Sequence, residues 1–307
     1  MKIKKLIFGI LFITTFLILK QTTNAQTALP KGITVIPSIM YVDLARDPAD
    51  YDLKYINNTN SDITLLLSSQ DFDELEDGYK LNFLEGKDAQ NYKYSLSSWI
   101  SFENKNLHLQ PKEEKTVKIF IDKNRITRGG HYASIQAKVE QETNNKAINI
   151  NPVISSLLFV RASTGQEIES GKISSFRPER RFWAFPESFA LRFQNSGNVY
   201  VIPYGKVEVT GPFNKPAARG ILNEGSLNAL PESIRKYNVM TNKSSKVLLP
   251  GIYKARIDMK FGDTNQTLTQ EIKFFSWGHF NFIKIGGFLI ILGLIFYFIR
   301  KLKFQKK

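Results

Sequence analysis

From residue 26 to residue 281 the sequence offers no long run of apolar residues at helical spacing, only short alternating or β-branched runs. Residues 33–44, 50–56, 63–69, 116–121 and 131–139 are such runs, and Asp47-Pro48, Asn57-Asn58-Thr59-Asn60, Asp77-Gly78 and Gly129-Gly130 stand between them. A period of two places apolar side chains on one face of a strand, and each break supplies either a fixed φ at proline or easy positive φ at glycine and asparagine. A chain of this kind has to stack sheets to bury its apolar faces, so the pattern predicts antiparallel sandwiches. With no cysteine in the chain, apolar cores of full size must hold those sandwiches in place of disulfides.

The plan occurs twice. Residues 152–161 close the first set of strands, and 189–194, 199–209, 246–249, 252–261 and 267–275 form the second. Leu109-Gln110-Pro111-Lys112-Glu113 returns loosely as Leu230-Pro231-Glu232-Ser233, and Gly130-His131-Tyr132 returns as Gly251-Ile252-Tyr253. Leu109 and Leu230, Gly130 and Gly251, and Tyr132 and Tyr253 each lie 121 positions apart. In both copies a tyrosine follows a glycine corner, where it can bury its ring and give its hydroxyl to nearby backbone. The expected fold is all-β: two tandem immunoglobulin-like β-sandwiches at 30–162 and 163–277, divided near Ser163-Thr164-Gly165.

The two ends predict a location. Residues 6–19 are uncharged and mainly apolar, stand behind Lys2, Lys4 and Lys5, and lead to Thr23-Asn24-Ala25, the layout of a cleavable signal peptide over 1–25. Residues 282–299 are interrupted only by Lys284, and Arg300, Lys301, Lys303, Lys306 and Lys307 follow them. That arrangement predicts one transmembrane helix at 282–299, a basic cytoplasmic tail at 300–307 and an extracellular ectodomain on a cell membrane. The net charge of +14 resembles a nucleic-acid signature only before it is divided, because ten of the 42 Lys and Arg residues lie in these terminal segments. The part between carries about +4, which predicts no nucleic-acid partner.

Catalytic stock is thin. There are three histidines, none with a second at ligand spacing, and no Gly-x-Ser-x-Gly elbow, so neither an enzyme nor a cofactor is expected. The run Asp71, Asp73, Glu74, Glu76, Asp77 before Gly78 departs from a calcium loop, since Leu75 takes a ligand position, and reads as a solvated hairpin. Two aromatic-rich loops remain. Residues 91–101 contain Tyr92, Tyr94 and Trp99, and residues 177–186 contain Arg177, Arg180 and Arg181 with Phe182, Trp183 and Phe185. Aromatic and arginine side chains dominate interface hot spots and stack on sugar rings, which makes Tyr92, Tyr94, Arg177, Arg180, Arg181 and Trp183 the candidate ligand-binding residues. The alternative is that Trp99 fills one core while Phe182, Trp183 and Phe185 close the base of the other.

The order of parts resembles a known family. A signal peptide, an opening Gly32-Ile33-Thr34-Val35-Ile36-Pro37-Ser38, the stretch Tyr51-Asp52-Leu53-Lys54-Tyr55-Ile56-Asn57-Asn58, then Leu109-Gln110-Pro111-Lys112-Glu113 and Gly129-Gly130-His131-Tyr132 are similar to the WxL-interacting proteins of bacterial surfaces. The resemblance implies a first domain that binds cell-wall peptidoglycan, a second that engages a surface protein partner, and a C-terminal helix in the membrane. The expected function is therefore non-enzymatic, membrane-anchored binding of the cell wall. The other expectation is a scaffold or stalk subunit joined to a surface complex by lateral contacts.

Overall fold

The computed structural model describes residues 32–278, apart from 76–79, 126, 141–151, 181–182 and 245–247, together with residue 293. The first strands are β1 (Ile33–Ile36), β2 (Ile39–Asp43), β3 (Asp50–Asn57), β4 (Ile63–Glu74) and β5 (Leu81–Phe83), followed by one short helix, α1 (Gly86–Asn91). Then come β6 (Ile100–Phe102), β7 (Asn106–Leu109), β8 (Glu114–Ile121), β9 (Gly130–Glu140) and β10 (Val153–Arg161). The second set is β11 (Gly171–Glu179), β12 (Ser188–Asn195), β13 (Tyr204–Thr210), β14 (Pro216–Leu222), β15 (Ile234–Met240), β16 (Asn242–Lys243), β17 (Gly251–Phe261) and β18 (Gln266–Ser276). The described chain is all-β, as its alternation predicts.

Among the described residues four sheets form two stacks. In the first, β1-β3-β8-β6 faces β2-β10-β9-β4-β5, with β7 beside β4; in the second, β11-β12-β15 faces β16-β14-β13-β17-β18. Pro37, which has no N–H to give a ladder, stands where the chain leaves one sheet and enters the other. The run expected at 33–44 is thereby cut into β1, antiparallel to β3, and β2, parallel to β10. Each stack has its own core, with Leu53, Leu65, Ile119, Ile135 and Leu158 in the first and Phe189, Phe193, Val207, Ile257 and Phe261 in the second. Complete burial of one such side chain contributes about 1.5–3 kcal/mol, so cores of this size replace the missing disulfides.

The internal repeat is structural, with a correction of one residue. Pro111 and Pro231 occupy equivalent turns, followed in each case by a residue at positive φ, Lys112 at 65° and Glu232 at 57°. Their spacing is 120, not the 121 that pairing Leu109 with Leu230 gives; β9 and β17, eleven residues each, keep 121. A buried asparagine secures each turn. Asn57 Nδ2 donates to Gln110 O (2.9 Å) and its N–H to Glu113 O (3.0 Å), while Asn195 Nδ2 donates to Ala229 O (3.0 Å) and its N–H to Ser233 O (3.0 Å).

Several expectations change. Residues 177–179, read as a loop, belong to β11, and residues 199–203 precede β13 without joining it. The transmembrane helix expected at 282–299, the signal peptide and the basic tail lie outside the described residues. Among the described residues no helix is long and apolar enough to cross a membrane.

Candidate functional site

The outer face of β2, β10, β9 and β4 carries a stripe of rings, Tyr41, Phe159, Tyr132 and Phe72, with neighbouring centroids 5.4–6.3 Å apart. The second sandwich covers that stripe with Tyr200 and Leu230. Gly129 and Gly130 make the approach close. Gly130 N–H donates to Asn198 O (2.8 Å), and a Cβ on Gly129 would fall 2.5 Å from that oxygen. Tyr132, wholly buried, accepts the Tyr200 N–H at its hydroxyl oxygen (2.8 Å), and Asn228 Nδ2 donates to the Tyr41 hydroxyl (3.1 Å).

Ion pairs flank the rings. Arg161 on β10 reaches Glu169 (2.8 Å) and Asp263, both in the second sandwich. Burial opposes ionisation of Glu169, but the N–H groups of Thr264 and Asp263 and the Arg161 guanidinium outweigh it and hold its pKa at about 2. On the other flank Arg235 pairs with Glu74, whose side chain is almost fully enclosed, and Ser233 Oγ donates to the same carboxylate (2.9 Å). Burial pushes the Glu74 pKa up, with Arg235 and Ser233 opposing. Lys93 Nζ (2.6 Å) and the Tyr94 hydroxyl (2.9 Å) both donate to Glu232.

Beside this second flank opens a cleft of about 490 Å3, lined from the first sandwich by Asp73, Glu74, Asp88, Tyr92 and Tyr94 among others and from the second by Leu230, Pro231, Glu232 and Ser233. The structure thus brings Tyr92 and Tyr94 together, rings edge to face at 5.9 Å. Burial and the nearby Asp73 carboxylate push the Tyr92 pKa far up. Arg180 and Trp183 meet elsewhere, on the second sandwich. The Arg180 guanidinium lies over the rings of Trp183 (5.8 Å) and Phe274 (5.3 Å) and donates to Phe275 O. Trp183, 55% exposed, sets its ring against the edge of Phe275. Arg177 is exposed on β11, and Arg181 lies outside the described residues.

The acidic run is not a solvated loop at its start. Asp71 is buried and accepts from Leu96 N (2.8 Å), Ser97 N (2.7 Å), Ser95 Oγ (2.7 Å) and Ser97 Oγ (2.8 Å), fixing the 95–97 turn that presents Tyr94. His131 is likewise internal, donating from Nδ1 to Ser95 O (3.0 Å) and meeting Thr127 Oγ1 at Nε2 (3.1 Å). Burial lowers its pKa. Among the described residues no three His, Asp or Glu side chains come together to hold a metal ion.

Sequence reasoning missed a second surface, the free edge of β10. β9 pairs with β10 along its whole length, but β2 pairs only with Leu157–Arg161, so Val153–Ser155 have one strand neighbour among the described residues, while Ser156 is buried and donates its Oγ to Pro37 O (2.7 Å). Leu157 N–H goes to Ser38 O on the β2 side; by the period of two, the main-chain groups of Ser155 and Val153 face the same open side. Ile36, Ile39 and Val153 are 44–50% exposed beside it. Two other edges are blunted: β11 carries a bulge after Ile173 and Pro178, and β18 presents Glu271 and Lys273, devices that discourage strand pairing.

No family profile matches the chain, and no curated protein matches it in sequence. Solved structures similar in fold include a class 5 fimbriae chaperone, CfaA (8% identity, TM-score 0.41, covering 78% of this chain and 98% of that one). Others are the periplasmic chaperone SfaE (11%, 0.36, 79% and 98%) and the Escherichia coli chaperone DraB (13%, 0.38, 79% and 95%). At such identities and scores the likeness transfers no activity. The resemblance to WxL-interacting proteins is corrected, since the neighbours found are fimbrial chaperones and no family profile supports it. With it go peptidoglycan, the surface protein partner, the lateral scaffold and the membrane-anchored location at the cell surface.

Proposed function

We propose that this is a non-enzymatic binding protein of two immunoglobulin-like units, 30–162 and 163–277, that takes an extended segment of another polypeptide onto the free edge of β10. The observation that carries the reading is the run Val153–Ser155, without a strand partner on the β2 side among the described residues, beside exposed Ile36, Ile39 and Val153. Main-chain hydrogen bonds along an open edge supply affinity for any extended chain, and exposed apolar side chains on alternate positions supply selectivity.

The test places a photoreactive residue at Ser155 in the full chain and maps crosslinked polypeptides recovered from the native host. Capture of a discrete polypeptide at Ser155, abolished by Val153→Lys with Ile39→Lys but not by Thr269→Lys on β18, supports the reading. Equal capture by all three proteins sinks it.

A further inference from the structure

One end of the second sandwich sets uncompensated cations beside exposed apolar side chains. β13, β17 and β18 lie side by side, so their outward residues form rows across the sheet. The row Glu208, Arg256, Glu271 is balanced, since Arg256 stands between two acids and also pairs with Asp258 (3.0 Å). In the next row, nearer the end, Thr210, Lys254 and Lys273 are register partners, and the two exposed lysines face each other with no ion-pair partner among the described residues. Like charges directly opposite on a sheet are destabilising, and an arriving anion relieves them. The row after that is apolar. Ile252, 64% exposed, pairs with Phe275, against whose ring Trp183 and Trp277 stand edge to face. The turn between β13 and β14 completes the end, where a Cβ on Gly251 would fall 2.5 Å from Pro212 Cγ. It holds Phe213, 84% exposed, at a φ of 62°, followed by Asn214 at 56° and exposed Lys215. Positive φ is unfavourable for a bulky side chain, and here it keeps an aromatic ring in solvent.

We propose that this end of the second sandwich is a docking surface for an acidic segment of another polypeptide, with Lys215, Lys254 and Lys273 pairing its carboxylates and Phe213, Ile252 and Trp183 seating its apolar side chains. Charge complementarity decides the occupant. Lysines without counter-ions beside an apolar row fit a chain in which acids adjoin apolar residues, the usual division of an interface into apolar anchors and a charged rim. The balanced row at Arg256 confines the basic strip to one row of the sheet, which fits a segment and not a broad anionic surface. The surface is separate from the β10 edge and stands whether or not that edge takes a strand.

Isothermal titration of the full chain with the peptide acetyl-Glu-Leu-Asp-Phe-Glu amide and with its uncharged Gln-Leu-Asn-Phe-Gln counterpart tests the surface. The expected result is binding of the acidic peptide about tenfold tighter than its counterpart, weakened about tenfold by Lys254→Glu with Lys273→Glu and a few-fold by Phe213→Ser. Lys105→Glu with Lys172→Glu, the same change of charge on exposed residues elsewhere, should leave the affinity unchanged. Phe213 lies on an exposed turn, so its substitution keeps the test sound if the double reversal disturbs folding. Equal affinity for the two peptides, or equal weakening by both lysine pairs, overturns the proposal. So does a photocrosslink from Ile252 to residues 279–307 of the same chain, which gives the surface to the protein's own tail. Absence of peptide binding together with capture on phosphatidylglycerol vesicles, lost in the Lys254→Glu, Lys273→Glu variant alone, overturns it in favour of lipid.

Discussion

Tyr132 and Tyr253 hold the same position in the two sandwiches, third in an eleven-residue strand after a glycine, and both are buried. Their hydroxyls go to different places. Tyr253 donates to Leu249 O four residues back, closing its own corner. Tyr132 instead accepts the N–H of Tyr200 across the junction. One residue type at one repeat position thus serves local stability in the second sandwich and coupling between the sandwiches in the first. The difference comes from the neighbours. The Tyr132 ring lies among Phe72, Tyr94, Phe159 and Tyr200, whereas Phe185 and Phe274 enclose Tyr253 within its own sandwich.

Breaking the junction should have the largest effect. Arg235→Ala leaves Glu74 enclosed without its cation, a change that destabilises by about 3–5 kcal/mol; urea unfolding should show that loss, together with separation of two transitions. Gly130→Ala follows, because its Cβ would lie 2.0 Å from the Tyr132 hydroxyl oxygen. Crowding of that kind costs about 1–3 kcal/mol, and small-angle scattering should report a wider angle between the sandwiches.

The tyrosines themselves sharpen the contrast. Tyr132→Phe strands the Tyr200 N–H, at about 1–3 kcal/mol, while Tyr253→Phe removes one local bond, about 1 kcal/mol; only the first should change the scattering profile. Acid acts on the Arg161 flank. The pKa of Glu169 is depressed from 4.5 to about 2, so its contribution is complete above pH 4.5 and lost as pH falls toward 2. Glu74 carries the opposite sign: its pKa is raised, so its contribution is present below 4.5 and declines as pH rises through the elevated value. Glu169→Gln should therefore flatten the acid limb of the stability curve. Arg177→Ala, on an exposed side chain, should move stability by no more than about 0.5 kcal/mol, and a larger loss would show that β11 supports more than its own sandwich.

How much of this was legible depended on the range of each interaction. The strands at 50–56, 63–69 and 252–261 appeared because their alternation is local, and the tyrosine repeat appeared because a glycine corner is local too. β11 escaped notice because Arg177 and Pro178 masked an edge strand, whose outer side needs no apolar residue. Tyr92 and Tyr94 were readable as an aromatic concentration, but Glu232, which anchors Tyr94, comes 138 residues later. Asp71 and Glu74 looked like solvent-facing acids because the donors that pair with them, Ser95 to Ser97 and Arg235, are distant in sequence.

By itself the sequence determined the β class, the two-fold repeat and the need for cores without disulfides, since periodicity, turn chemistry and cysteine count act within a few residues. Only the tertiary structure decided which tyrosine would bind its own corner and which the other sandwich, where the open edge lies, and which carboxylates are buried. Those outcomes depend on pairings between distant strands, and no local pattern encodes which distant neighbour a side chain will meet.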